Sequence, residues 1–106
     1  MIFSGLFKTF DVDGGVRQFN ATNGAVLLDV RTRAEYAQGH IEGSINIPLD
    51  EIEDAARKIP DKNTPVFVYC HSGARSGRAA AYLKGCGYAS VKNIGGIISY
   101  HGKVVK

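Results

Sequence analysis

The run Cys70-His71-Ser72-Gly73-Ala74-Arg75-Ser76 places a thiol, an imidazole, two hydroxyls, a guanidinium and a glycine in seven consecutive positions. Those residue types suit a sulfur nucleophile, because the thiolate is the reacting form and groups that favour negative charge on sulfur raise its population. Gly73 is free to take positive φ, which lets the loop turn several backbone N–H groups inward as an anion nest around the sulfur. Arg75, with Arg78 one turn further on, supplies permanent positive charge that lowers the thiol pKa and attracts anionic substrates. A plain glycine-rich turn beside a buried thiol would leave this concentration of polar and charged residues unexplained.

The nucleophile has to be held by a strand and a helix. PVFVYC (65–70) opens at a proline, closes at the glycine-containing loop and has no helical period, so it reads as a buried strand ending on Cys70. AVLLDV (25–30) has the same character, while SINIPL (44–49), SVKNI (90–94) and IFSGLF near the start are weaker strand candidates. Helical stretches lie around Val16 to Phe19, Ala34 to Gln38, Leu49 to Lys58 and Ser76 to Lys84, the third with its acids first and its bases last. Alternating strands and helices predict an α/β domain with a mostly parallel sheet, whose strand C-termini line one edge where such sheets bind ligands. Cys70 falls on that edge, facing a helix N-terminus. Gly14 and Gly15 cost the first helix about 1 kcal/mol each if they are interior, and KVVK at the end reads as a tail.

The 106 residues fit one domain spanning 1–106. Hydrophobic residues at 44% and charged residues at 22% exclude a disordered tail, a collagen or a coiled coil. The net charge of +3 comes without a basic run, which argues against a nucleic-acid partner. MIFSGLFKTF is interrupted by Ser4 and Gly5, and no segment approaches the roughly 18 apolar residues of a membrane span, so a cytoplasmic location with no membrane partner is expected. Two cysteines do not make a disulfide framework. His40, His71 and His101 are widely spaced without paired cysteines, and no phosphate-loop template fits, so no metal and no cofactor are expected.

LLDVRTRAEYAQGHIEGSINIPL (27–49) resembles the first signature of the rhodanese family, and CHSGARSGRAAAYLKGCGYASVKNIGG (70–96) resembles its active-site loop followed by the second. The resemblance implies a three-layer rhodanese-like domain, a five-stranded mostly parallel sheet flanked by helices. It also implies a sulfurtransferase in which Cys70 takes the outer sulfur of a small anionic donor such as thiosulfate and passes it, as a persulfide, to a thiol, cyanide or protein acceptor. On this reading Arg75 grips the sulfonate oxygens, and His71, Ser72, Gly73, Ala74 and Ser76 complete the substrate-binding ring. A persulfide-carrying or regulatory interaction module with little turnover is the alternative, although a pure binding module has no chemical need for the thiol. Cysteine phosphatases and arsenate reductases share the strand-loop-helix, but the phosphatases place five residues between Cys and Arg where this chain has four, His71 to Ala74. Members with a Trp after the Gly-Gly pair differ from this chain, which has Tyr100 and no Trp.

Asp29, Arg31, Glu35 and His40 read as a buried polar network fastening strand to helix. A helix from about Ser76 to Gly85 would carry Cys86 some ~14 Å from the loop, beyond the roughly 7 Å Cα separation a disulfide allows, so Cys86 reads as a packing or surface residue.

Overall fold

The structure, a computed structural model, describes residues 10–106. Its main sheet contains β1 (Val26–Asp29), β3 (Ser44–Asn46), β4 (Val66–Cys70) and β5 (Val91–Gly96), all parallel and in the order β3-β1-β4-β5. Among the described residues the parallel sheet therefore has four strands and not five. The fifth candidate, IFSGLF, lies outside those residues.

All five residues of β4 are buried, which is why its sequence shows no alternation. Successive side chains nevertheless point to opposite faces. Leu28, Val68 and Cys70 pack with Ala79 and Leu83 of α4 (Ala74–Gly85) and with α3 (Ala55–Lys58), whereas Leu27, Phe67, Tyr69 and Ile94 pack with Val12 and Val16 of α1 (Val12–Asn20). Each fully buried leucine in these layers contributes about 1.5–3 kcal/mol through the area it removes from water. Two helical layers thus enclose the sheet, with Cys70 on the α4 side.

Several boundaries differ from the sequence expectation for identifiable reasons. The third helical stretch is split into a 3-10 turn, Leu49–Asp54, and α3, because Glu51 departs from helical geometry at φ −122°. SINIPL is a strand only over Ser44–Asn46, and Pro48, which has no N–H for a ladder, begins the descent into that turn. Asp11 caps α1 by accepting from the Gly14 N–H at 2.9 Å, so this helix starts before the expected Val16. Gly15 is explained by close approach: a Cβ there would lie 2.5 Å from Ile94, so its absence lets α1 rest on β5.

KVVK is not a free tail. Val104–Val105 form β6, which pairs antiparallel with β2 (His40–Ile41) in a second, two-stranded sheet. Among the described residues no helix is long and apolar enough to cross a membrane.

Candidate functional site

Cys70 ends β4 with 1% of its surface exposed. The Gly73 N–H donates to its Sγ at 3.1 Å, the N–H groups of Ser72 and Ser76 add to the cradle, and the Ser76 hydroxyl lies 3.4 Å away. Burial pushes the thiol pKa up, but the Ser76 hydroxyl and these backbone N–H groups outweigh it, and the net shift is downward. Of the several N–H groups expected to turn inward, the Gly73 N–H is the one that hydrogen-bonds the sulfur.

Local backbone geometry makes the nest. Gly73 sits at φ +104°, ψ −10°, immediately before α4, which begins at Ala74 instead of the expected Ser76. In this left-handed conformation a side chain would be strained, and a Cβ would also meet the Phe10 ring at 2.8 Å. Beneath the loop runs the end of β5. The β4–β5 register shifts between Val68 and Tyr69, so that Val68 pairs with Asn93 but Tyr69 pairs with Gly95 and Cys70 with Gly96. A Cβ on Gly96 would overlap the His71 carbonyl, so Gly96 is what allows two backbones to cross this closely, while a Cβ on Gly95 would meet Phe10. The Ile98 N–H then donates to the His71 carbonyl at 3.2 Å and ties the crossing together.

Arg75 is not isolated. Its guanidinium makes a two-pronged pair with Glu35, 2.8 Å from Nη1 to Oε1 and 3.1 Å from Nη2 to Oε2. This pairing, opposed by partial burial and assisted by Thr32, lowers the Glu35 pKa to about 2. Glu35 also belongs to the capping box of α2 (Arg33–Gln38), in which the Thr32 N–H donates to Oε1 at 3.0 Å. The first motif therefore reaches directly into the loop, where the sequence suggested only a strand-to-helix fastening. The sequence leads one to expect inward backbone N–H groups, with both arginines adding to them, to lower the thiol pKa. The groups in contact with the sulfur are the Gly73 N–H and the Ser76 hydroxyl, the latter placed in the loop by the sequence without this role, and the Arg75 charge is shared with Glu35.

His71, Ser72 and Ala74 are exposed at the mouth of the loop, and Arg78 is exposed beside Arg75 along a groove of about 540 Å³ floored by Val30, Leu49 and Ile52. Ser76 is fully buried under the sulfur. Its hydroxyl donates at 2.7 Å to Oδ1 of Asn93, a residue the motifs did not single out. The available signal was an amide inside a strand, two positions before Gly95-Gly96.

Three of the four polar residues in the first motif act as fasteners. Buried Asp29 accepts from Arg31 Nη2 at 2.7 Å, Arg31 donates onward to the Gly39 carbonyl at 2.7 Å, and the His40 ring stacks on Tyr36 with centroids 3.7 Å apart. Cys86 is exposed at the opposite end of α4, and neither cysteine is in a disulfide. Among the described residues no group of three or more His, Cys, Asp or Glu is placed to hold a metal ion. The assembled chemistry is a buried thiol, its pKa shifted downward, facing hydrogen-bond donors with a guanidinium at its side.

Comparison with known proteins agrees with this arrangement. Residues 15–102 match the family described as Rhodanese-like domain. The chain is 46% identical over 71 residues to the thiosulfate sulfurtransferase PspE of Escherichia coli strain K12, covering 66% of this chain and 68% of that protein. It is 37% identical over 82 residues to a tRNA uridine(34) hydroxylase of Buchnera aphidicola, covering 72% of this chain but 26% of that larger protein. Among solved structures, a rhodanese with anions from E. coli superposes with a TM-score of 0.72 at 43% identity, covering 77% of this chain and 98% of that one.

Proposed function

The chain belongs to the rhodanese-like domain family, and on that premise we propose that it is a thiosulfate sulfurtransferase working through a persulfide on Cys70. The observation that carries this reading is the buried Cys70 sulfur, held by the Gly73 N–H at 3.1 Å and the Ser76 hydroxyl at 3.4 Å where β4 runs into α4. The Cys70 thiolate attacks the outer sulfur of thiosulfate. The sulfur–sulfur bond of the donor breaks and sulfite leaves with the bonding pair, so the new persulfide carries the negative charge that the thiolate brought. Donors already fixed in the loop stabilise that charge without reorganising. An acceptor nucleophile, such as cyanide or a thiolate, then takes the outer sulfur and returns Cys70 as thiolate.

Arg75 grips the sulfonate oxygens of the donor. A guanidinium has five N–H donors, and the bonds to Glu35 use one on each terminal nitrogen, leaving the others for an oxyanion. Glu35 thus sets the direction in which Arg75 presents its charge. Four residues between Cys70 and Arg75 make a tight ring that suits a sulfur atom in preference to a phosphoryl group.

Incubation with thiosulfate, followed by intact mass and peptide mapping, tests the reading. One added sulfur is expected on Cys70, with thiocyanate formed when cyanide is supplied. Sulfur found only on Cys86, or on neither cysteine, overturns the mechanism. Loading of Cys70 without release to any acceptor would make the chain a persulfide-carrying module instead.

A further inference from the structure

We propose that Asn93 is a positioning residue that competes with Cys70 for the single hydroxyl proton of Ser76, holding that proton while the sulfur is uncharged and releasing it when the sulfur is anionic. The inference deepens the reading of Cys70 as the reacting sulfur and rests on it.

The Ser76 hydroxyl has 0% exposure, so its proton is committed to partners inside the protein. Three acceptors lie within reach: Asn93 Oδ1 at 2.7 Å, Cys70 Sγ at 3.4 Å and the Gly95 carbonyl at 3.4 Å. The first has the ideal separation for an O–H···O bond. A hydroxyl has one proton to give, so a bond to Asn93 and a bond to sulfur exclude each other.

The orientation of the Asn93 amide is fixed from two sides. The Gly95 N–H donates to its Oδ1 at 3.0 Å, and its Nδ2 donates to the Gly73 carbonyl at 3.1 Å. A flipped amide would set donor against donor at Gly95 and acceptor against acceptor at Gly73. Asn93 therefore presents Ser76 with an acceptor. While Cys70 is a thiol, Ser76 donates to Asn93 and its oxygen lone pairs are free to accept the S–H. Once the thiol proton leaves, the hydroxyl rotates to the anionic sulfur for a charge-assisted bond. Asn93 Oδ1 keeps the Gly95 N–H, so it is not left unpartnered. When the persulfide forms, the negative charge moves to the outer sulfur, and the hydroxyl returns to Asn93. The Ser76 proton never leaves its oxygen.

The thiol pKa of Cys70 reads this competition without any sulfur donor. It is measured from the pH dependence of iodoacetamide alkylation and of thiolate absorbance, in a Cys86→Ser background so that only Cys70 reports. Arg75, Arg78, Tyr82 and Lys84 on α4, Glu35 of α2 paired with Arg75, His71 in the loop, Tyr69 on β4, Asp29 at the end of β1 with Arg31 just after it, Asp50 in the 3-10 turn and Lys92 on β5 are among the charged and titratable groups on the surrounding elements. All of them remain in every variant. Ser76→Ala is expected to raise the thiol pKa and slow alkylation below it by about tenfold. Asn93→Leu, which no longer holds the proton, is expected to lower the thiol pKa, but to have no effect when combined with Ser76→Ala. An Asn93→Leu effect of equal size in both backgrounds, or a Ser76→Ala variant with unchanged pKa, overturns the proposal. If melting curves show that Asn93→Leu is unfolded, Asn93→Asp supplies the opposite arm. As a stronger acceptor it is expected to raise the thiol pKa more in the presence of Ser76 than in its absence, and equal increases overturn the proposal. Persulfide mapping on Cys70 is a separate result, so the two readings fail independently.

Discussion

The two ends of α4 carry the two cysteines, and both ends are rich in glycine for different reasons. At the N-terminal end, Gly73 and Gly96 are pressed against Phe10 and the His71 carbonyl, and Cys70 is buried among donors. At the C-terminal end, a Cβ on Gly85 or Gly87 would meet nothing within 4 Å, and Cys86 is exposed. Gly96 makes room for backbone against backbone, and Gly73 for the Phe10 ring. At the second end, Gly87 is needed for its conformation alone, φ +98°, and Gly85 for neither reason. Glycine density therefore does not mark a site, whereas glycines without room for a Cβ next to a nucleophile do.

Exchanging the thiols sharpens this contrast most. Cys70→Ser is expected to lower kcat/KM for thiosulfate by on the order of 10³-fold or more, while Cys86→Ser stays within about twofold, as measured by thiocyanate formation. Comparable losses from both would erase the difference between the ends.

Gly96→Ala comes next. Its Cβ would displace the His71 carbonyl, and overpacking of this kind costs roughly 1–3 kcal/mol. Urea denaturation should show that loss, and sulfur transfer should fall beyond it because the loop has moved. A variant of unchanged stability and activity would show that the crossing has slack.

Glu35 gives a pH test at the same end. Its folded pKa of about 2 lies below the ordinary glutamate value of 4.5, so the folded state binds fewer protons than the unfolded state between those values. The stability it contributes is fully present above pH 4.5 and is lost as the pH falls toward 2. Melting temperatures of wild type and Glu35→Gln should differ at neutral pH and converge across that window. A difference that persists unchanged at pH 2 would separate Glu35 from the Arg75 pair.

Gly85→Ala has the smallest effect. With open space around it at the end of α4, the substitution should stabilise by about 0.5 kcal/mol through the unfolded chain and leave sulfur transfer unchanged. Destabilisation there would mean the far end is also packed.

The sequence made β1, β4 and the loop legible because burial on both faces and an unusual set of residue types leave local marks. The Arg75–Glu35 pair spans 40 positions and the Ser76–Asn93 bond spans 17, so neither appears in any local pattern. β6 went unread because a two-residue strand with an exposed Val104 has no periodicity to detect. Gly14 and Gly15 read as costly helix residues, since the approach of the Asp11 carboxylate to Gly14 and of Ile94 to Gly15 exists only in the folded chain.

The shared carboxylate of Glu35 also bears on local cooperativity. A helix of six residues such as α2 does not persist on its own. The side chain that closes its first turn is the one that holds Arg75. Fraying of that turn and release of the guanidinium are therefore one opening event, and amide hydrogen exchange at the start of α2 reports how often the loop's cation is let go.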